Sequence, residues 1–220
     1  MPNPPVTFIS YSAQMKDILS QIIRDSAIHA RWVNTLSYME NSGARKIAAS
    51  EHPIMVKEEI LKHAFEEFRH AYYLKTQIHR LTNDFLPSYK YDSTLGRSSS
   101  RYYLHSLDLQ TTKFLRKELL LTGFELRSTA YILVTYAIEL RAFELYEIYN
   151  TLLKESQSPI TIKSILMEEI GHLKEMESEL SLIQNGEQLL EKTCAIESSL
   201  CKNLLEAISS SLEKKALTSC

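Results

Sequence analysis

Two short stretches, Glu67-Phe68-Arg69-His70 and Glu169-Ile170-Gly171-His172, decide how this chain is read. Residues three apart project from one face of a helix, so each ExxH pair offers an oxygen and a nitrogen to a common point. With 22 Glu and seven His in 220 residues, about 0.7 such pairs arise by chance, so placement carries the weight. The first pair interrupts an apolar stripe at three- and four-residue steps: Val56, Ile60, His63, Ala64, Glu67, His70, Ala71, Leu74 and Ile78. Ile162, Leu166, Leu173 and Met176 flank the second pair in the same way. An uncompensated carboxylate costs several kcal/mol to bury on such a face, so a partner is required.

The helix before each pair also places a Glu on its apolar stripe. Glu40 falls among Ile28, Trp32, Val33, Leu36, Met39, Gly43 and Ile47, and Glu139 among Ile132, Tyr136, Ala142 and Phe143. Four ionised Glu and two neutral His carry four negative charges, which two divalent cations balance. Mixed carboxylate and imidazole ligation without thiolate favours iron or manganese over zinc or copper, and differs from the all-oxygen shell of calcium or magnesium. The candidate ligands are therefore Glu40, Glu67, His70, Glu139, Glu169 and His172. One position has a rival. For a turn centred near Gln157, Glu144 lies 13 residues before it and Glu169 12 after, whereas Glu139 lies 18 before; at ~1.5 Å per residue that is a mismatch of roughly 9 Å. Glu144 has Arg141 and Glu147 one turn away, a more solvated setting, so Glu139 is preferred and Glu144 stays open.

Periodicity and punctuation predict helices over about 26–50, from Pro53 to about 83, over 102–121, 124–152, 160–183 and 187–214. Pro53 suits a first helical position, and Asn185-Gly186 a C-cap. Pro87, Gly96 and Arg97-Ser98-Ser99-Ser100-Arg101 mark a connection between about 83 and 100, and Ser156–Pro159 a turn. The order helix, turn, helix bearing ExxH occurs twice, separated by a long crossover. This predicts an all-α four-helix bundle of two hairpins, with additional helices in the crossover and at the C-terminus, as one domain over 1–220 with its core at about 26–185.

Composition narrows the function. Five Gly and six Pro are too few turn formers for a sandwich of short strands. A net charge of −2 argues against nucleic acid as a partner, and no apolar run approaches the roughly 18 residues of a membrane span. The opening Met1-Pro2-Asn3-Pro4-Pro5 lacks the basic and apolar parts of a signal peptide, so a cytoplasmic location is expected. Cys194, Cys201 and Cys220 form no CxxC pair and are expected as reduced thiols.

The linear order Glu40, Glu67xxHis70, Glu139, Glu169xxHis172 resembles that of the ferritin-like di-iron carboxylate proteins, over about 28–180. Gly43, Ala142 and Tyr146 are similar to the Glu, small residue, Tyr pattern of rubrerythrin and bacterioferritin helices; Ile47 departs from it. The resemblance implies an oxidase or oxygenase holding two iron ions, with Fe/Mn or Mn/Mn pairs admissible. It further implies dioxygen, a small-molecule substrate and an electron donor as partners, and admits a homodimer. Ferroxidase and iron storage is the alternative at the same site, a haem-oxygenase-like di-metal fold fits the ligand spacing less well, and a metal-free helical interaction protein is the alternative of another class. His63 reads as a core histidine or a support to the ligands, since the family arrangement is complete without it. Tyr38, Tyr136 and Tyr146 read as packed, hydrogen-bonded tyrosines, and Glu175, Glu177 and Glu179 as a solvated stretch of helix. Gly43 reads equally as space beside Glu40 or as close helix packing.

Overall fold

Apolar residues at helical spacing fold the chain into seven α-helices among the residues described by this computed structural model, 4–84 and 86–218, with side chains to 213. They are α1 (Ser12–Ile23), α2 (Ser26–Ser50), α3 (Glu58–Ile78), α4 (Arg97–Leu119), α5 (Gly123–Glu155), α6 (Lys163–Ser181) and α7 (Gly186–Thr218). α2 starts where Asp25 accepts hydrogen bonds from the backbone N–H of Ala27 and Ile28 at 2.9 and 3.1 Å, a cap that contributes about 1 kcal/mol. α2 and α3 pack antiparallel: the Ser37 hydroxyl donates to the Ala71 carbonyl at 2.7 Å, and at the far end Ile47 meets Ile60 and Ala64. α5 and α6 pack through Tyr136, Leu173, Met176 and Leu180, and α4, α5 and α7 pack against one another.

Two devices hold the outer helices to this helical bundle. Gly96, with φ of 77°, lets α4 start against α7; a Cβ there would stand 3.0 Å from Leu204 Cδ1, so both backbone and space require glycine. Deeper, the Arg141 guanidinium donates two bonds of 2.8 Å to the fully buried Glu197 carboxylate, which also accepts from the Tyr103 hydroxyl. That group ties α4, α5 and α7 together, and a third Arg141 bond reaches the Ile9 carbonyl. Breaking one side of such a buried pair costs about 3–5 kcal/mol.

Several boundaries differ from the expected ones. α1 precedes the first expected helix and buries Met15, Ile18, Leu19 and Ile22. α3 does not begin at Pro53: the His52 imidazole Nδ1 accepts from the N–H groups of Ile54 and Met55 at 3.2 and 2.9 Å, closing a turn, and the helix starts at Glu58. α3 ends at Ile78 rather than 83, α4 starts at Arg97 rather than 102, and α5 runs on to Glu155. α6 begins at Lys163, after the non-helical residues 158–162, and Asn185, at φ of 57°, turns the chain into α7, which continues past 214. Cys194 and Cys201 are buried, and burial pushes the Cys194 thiol up to about 12; Cys220 and residues 1–3 lie outside the described residues. Leu61, Phe65, Phe68 and Tyr72 form an exposed stripe along α3. Among the described residues no helix is long and apolar enough to cross a membrane.

Candidate metal centre

The buried face of each central helix turns titratable groups toward one centre. Two groups have donor atoms within 4.8 Å of one another: His63, Glu67, Glu139 and His172, and Glu40, Glu67, His70 and Glu169. All six residues expected from the sequence are in this cluster, and His63 makes a seventh. Glu67 belongs to both groups, so its two carboxylate oxygens face the two halves. Its Oε1 lies 3.4 Å from His172 Nδ1 and 3.5 Å from His63 Nε2, and its Oε2 lies 3.7 Å from His70 Nδ1. Glu169 stands 3.4 Å from Nδ1 of both His70 and His172.

The imidazoles are oriented from outside by a reciprocal pair of carboxylates. His70 Nε2 donates to Glu168 at 2.9 Å, and His172 Nε2 donates to Glu66 at 2.9 Å. Each is thus held by the residue that precedes the ExxH glutamate of the other hairpin. Fixing the proton on Nε2 directs Nδ1 into the cage as the ligating nitrogen. Arg69 pairs with Glu168 behind the first of these contacts. At the other side of the cage the Tyr146 hydroxyl donates to Glu40, and the Tyr131 hydroxyl meets His63 Nδ1 at 3.2 Å.

Five buried atoms in this cluster have no hydrogen-bond partner: Glu67 Oε1, His70 Nδ1, Glu139 Oε2, Glu169 Oε1 and His172 Nδ1. Buried polar atoms are ordinarily paired, and here the unpaired ones converge and are all electron-pair donors. A cation fits that set, since among the described residues no hydrogen-bond donor pairs with these atoms. The protonation pattern agrees. Burial, then the neighbouring Glu67, raises Glu40 well above the usual carboxylate range, and burial with Glu139 beside it does the same to Glu169. Burial also opposes ionisation of Glu67 and Glu139, but is outweighed: His63 and His70 hold Glu67 low, and Glu169, His172 and His63 hold Glu139 low. Burial likewise opposes charge on the imidazoles, yet contacts with Glu139 and Glu67 push His63 up to about 9, and those with Glu139 and Glu169 push His172 up to about 12. The groups so raised favour their protonated forms, and a divalent cation bound at the same centre would displace those protons.

Glu144 is elsewhere. It accepts from the Tyr11 N–H at 3.1 Å, from the Ser12 hydroxyl at 2.7 Å and from Arg141, anchoring the start of α1. The helix-rise argument in its favour fails because it counts the connection at helical rise: α5 ends at Glu155 and α6 begins only at Lys163, so a non-helical connection, which advances further per residue than a helix, separates them, and Glu139 and Glu169 meet in the cage. His63 was legible as HxxxE on the inward stripe, and Glu66 and Glu168 as the doubled glutamate of EExxH. His63, expected as a core histidine or a support to the ligands, takes its place in the donor group with Glu67, Glu139 and His172; Glu66 and Glu168 were not singled out.

A cavity of about 290 Å³ opens beside the cluster, between α2 and α5. Glu40, Glu67 and Glu139 form its inner end, and Met39, Ile47, Val134, Ile138 and Leu145 much of its wall. A Cβ at Gly43 would meet nothing within 4 Å, so this glycine borders open space rather than a close helix contact. No family model matches the chain, and no curated protein or solved structure is significantly similar to it. The class therefore stands on the molecule itself: an all-helical protein whose two clustered His/Glu groups resemble a ferritin-like di-metal motif.

Proposed function

We propose that this chain is a ferritin-like four-helix bundle, formed by α2, α3, α5 and α6, that holds two iron ions and acts as an oxidase or oxygenase. The observation that carries the reading is the convergence of five unpartnered donor atoms on one buried centre. The ligands are Glu40, Glu67, His70, Glu139, Glu169 and His172, with His63 as a further donor to the half that contains Glu139. Four carboxylates match the charge of two divalent cations, and the absence of thiolate among the donors favours iron, with Fe/Mn or Mn/Mn also compatible. When bound, such a metal pair supplies electrons to dioxygen, and a separate electron donor restores it.

The chain's own residues supply position and exclusion. Glu66 and Glu168 fix the two imidazoles, and Tyr146 fixes Glu40. Glu67 faces both halves and links them. The apolar wall of the cavity keeps water from the inner end and leaves room for an organic substrate beside Glu40. That room favours an enzyme over ferroxidase and storage, which needs passage for ions alone. The exposed stripe of Leu61, Phe65, Phe68 and Tyr72 is the feature that favours an interaction role. Anaerobic reconstitution with Fe(II), followed by metal analysis and an oxygen electrode, separates these readings. About two ions per chain and consumption of dioxygen support the enzyme; a hollow multimeric shell with an iron core favours storage. Less than one ion per chain with no dioxygen consumed leaves the interaction role.

A further inference from the structure

The cavity has a direction. Along α5 its lining runs from Arg127 to Glu139 and on to Tyr146, and along α2 from Leu36 past Glu40 to Ser50. Arg127 and Glu139 are 12 residues apart, so about 18 Å of helix separates the outer end from the cage. The two ends differ in charge. Three carboxylates, Glu40, Glu67 and Glu139, line the inner part; Arg141 lines it too, but its guanidinium is taken up by Glu197 and Glu144. At the outer end stand two cations, Lys46 and Arg127, and one carboxylate, Asp108. Lys46 is paired with Asp108 at 2.6 Å, whereas exposed Arg127 has no hydrogen-bond or ion-pair partner among the described residues. Between the ends the wall is apolar, through Ile47, Val134 and Ile138.

We infer that the cavity takes an unbranched apolar chain bearing one terminal carboxylate, with the carboxylate on Arg127 and the apolar end beside Glu40. The inference rests on the di-metal reading for the role of the inner end. The orientation follows from the charges: a carboxylate at the inner end adds to three others, while the same group at the outer end meets a free guanidinium in a fork geometry suited to it. Length follows from the dimensions. An extended chain advances about 1.2 Å per backbone atom, so the span takes on the order of fifteen atoms. At about 30 Å³ per water-sized group, the volume holds on the order of ten. Alkanoates of medium length lie between these limits.

The test uses decanoate as probe on the full chain, by titration calorimetry, first with metal removed by chelation and then after Fe(II) loading. Decanoate is expected to bind more tightly than decan-1-ol or decyltrimethylammonium, and butyrate to bind far more weakly. Arg127→Gln should weaken decanoate by about five- to tenfold and leave decan-1-ol unchanged. Gly43→Leu, which fills the space beside Glu40, should shorten the longest alkanoate accepted. Equal decanoate affinity in wild type and Arg127→Gln, or equal binding of the alcohol and cationic probes, overturns the inference. The two readings fail separately: iron uptake without decanoate binding removes only this one, and decanoate binding without iron uptake removes the di-metal centre while keeping the ligand site.

Discussion

Replacing Glu67 by Gln tests the geometry of the cage most directly, because this is the one carboxylate common to both donor groups. The substitution keeps shape and removes a charge. In the loaded site four carboxylates face two divalent cations, so Glu67→Gln leaves one positive charge uncompensated. Glu67 is only 5% exposed, and solvent therefore screens little of that charge. An unpaired buried charge costs about 3–5 kcal/mol, or roughly two to three and a half decades of affinity at about 1.4 kcal/mol per decade. Glu40→Gln and Glu139→Gln each remove a donor from one group only. Anaerobic titration with Fe(II), read by metal analysis after gel filtration, should therefore find near-complete loss of both ions in Glu67→Gln. It should find about one retained ion in each of the other two, with helical circular dichroism preserved throughout. Two ions bound to Glu67→Gln with wild-type affinity, or identical losses in all three variants, would refute the shared-carboxylate arrangement.

Three further outcomes are expected. Glu40 and Glu169 are raised by burial first, and contacts with carboxylates push His63 up to about 9 and His172 up to about 12, so metal uptake must displace their protons; affinity should rise with pH and fall on acidification, with about four protons released per chain near neutral pH by calorimetry in buffers of different ionisation enthalpy. Tyr146→Phe removes the hydroxyl that holds Glu40 and should weaken binding in that half by about tenfold, measured by competition with a chelator. His29, bonded to the Tyr149 hydroxyl, is pushed down to about 4 by burial, while an unfolded histidine titrates near 6.5. Between those values acid protonates the unfolded chain first and removes up to about 3 kcal/mol of stability, so His29→Phe should flatten the fall in urea midpoint over that window.

The cage was legible wherever helical period and chemistry coincide. Glu67, His70, Glu169 and His172 are found from spacing because their helices are regular across the motif, and Glu40 and Glu139 because a carboxylate on an apolar stripe is conspicuous. Judgements that crossed a loop were less secure. The choice between Glu139 and Glu144 turned on the path of residues 158–162, and the start of α3 on a histidine that captures two backbone N–H groups; neither leaves a periodic trace. α1 does carry a periodic trace, with Met15, Ile18, Leu19 and Ile22 at helical steps, but over only 12 residues. The cavity was legible only at Gly43, which read equally as space beside Glu40 or as close packing; its extent depends on how far α2 and α5 stand apart, which no local pattern encodes.

The repeated EExxH motif would make the two halves of the cage equivalent, and the residues around it break that equivalence. Four positions before Glu67 stands His63; four before Glu169 stands Ile165. One group therefore offers two imidazoles and two carboxylates, and the other one imidazole and three carboxylates. The carboxylate-rich half concentrates more negative charge and suits the harder ion, while the imidazole-rich half suits iron, which keeps an Fe/Mn pair compatible with the site alongside Fe/Fe. The cavity meets both halves through Glu40, Glu67 and Glu139 but reaches no imidazole of the cage. Of the cage residues, any molecule entering from the Arg127 end thus meets the carboxylates and no imidazole, and these are the groups whose charge would balance a bound cation. On the proposed di-metal reading, a ligand seated in the cavity is therefore expected to change metal affinity through the same three glutamates, which chelator competition with and without decanoate would measure.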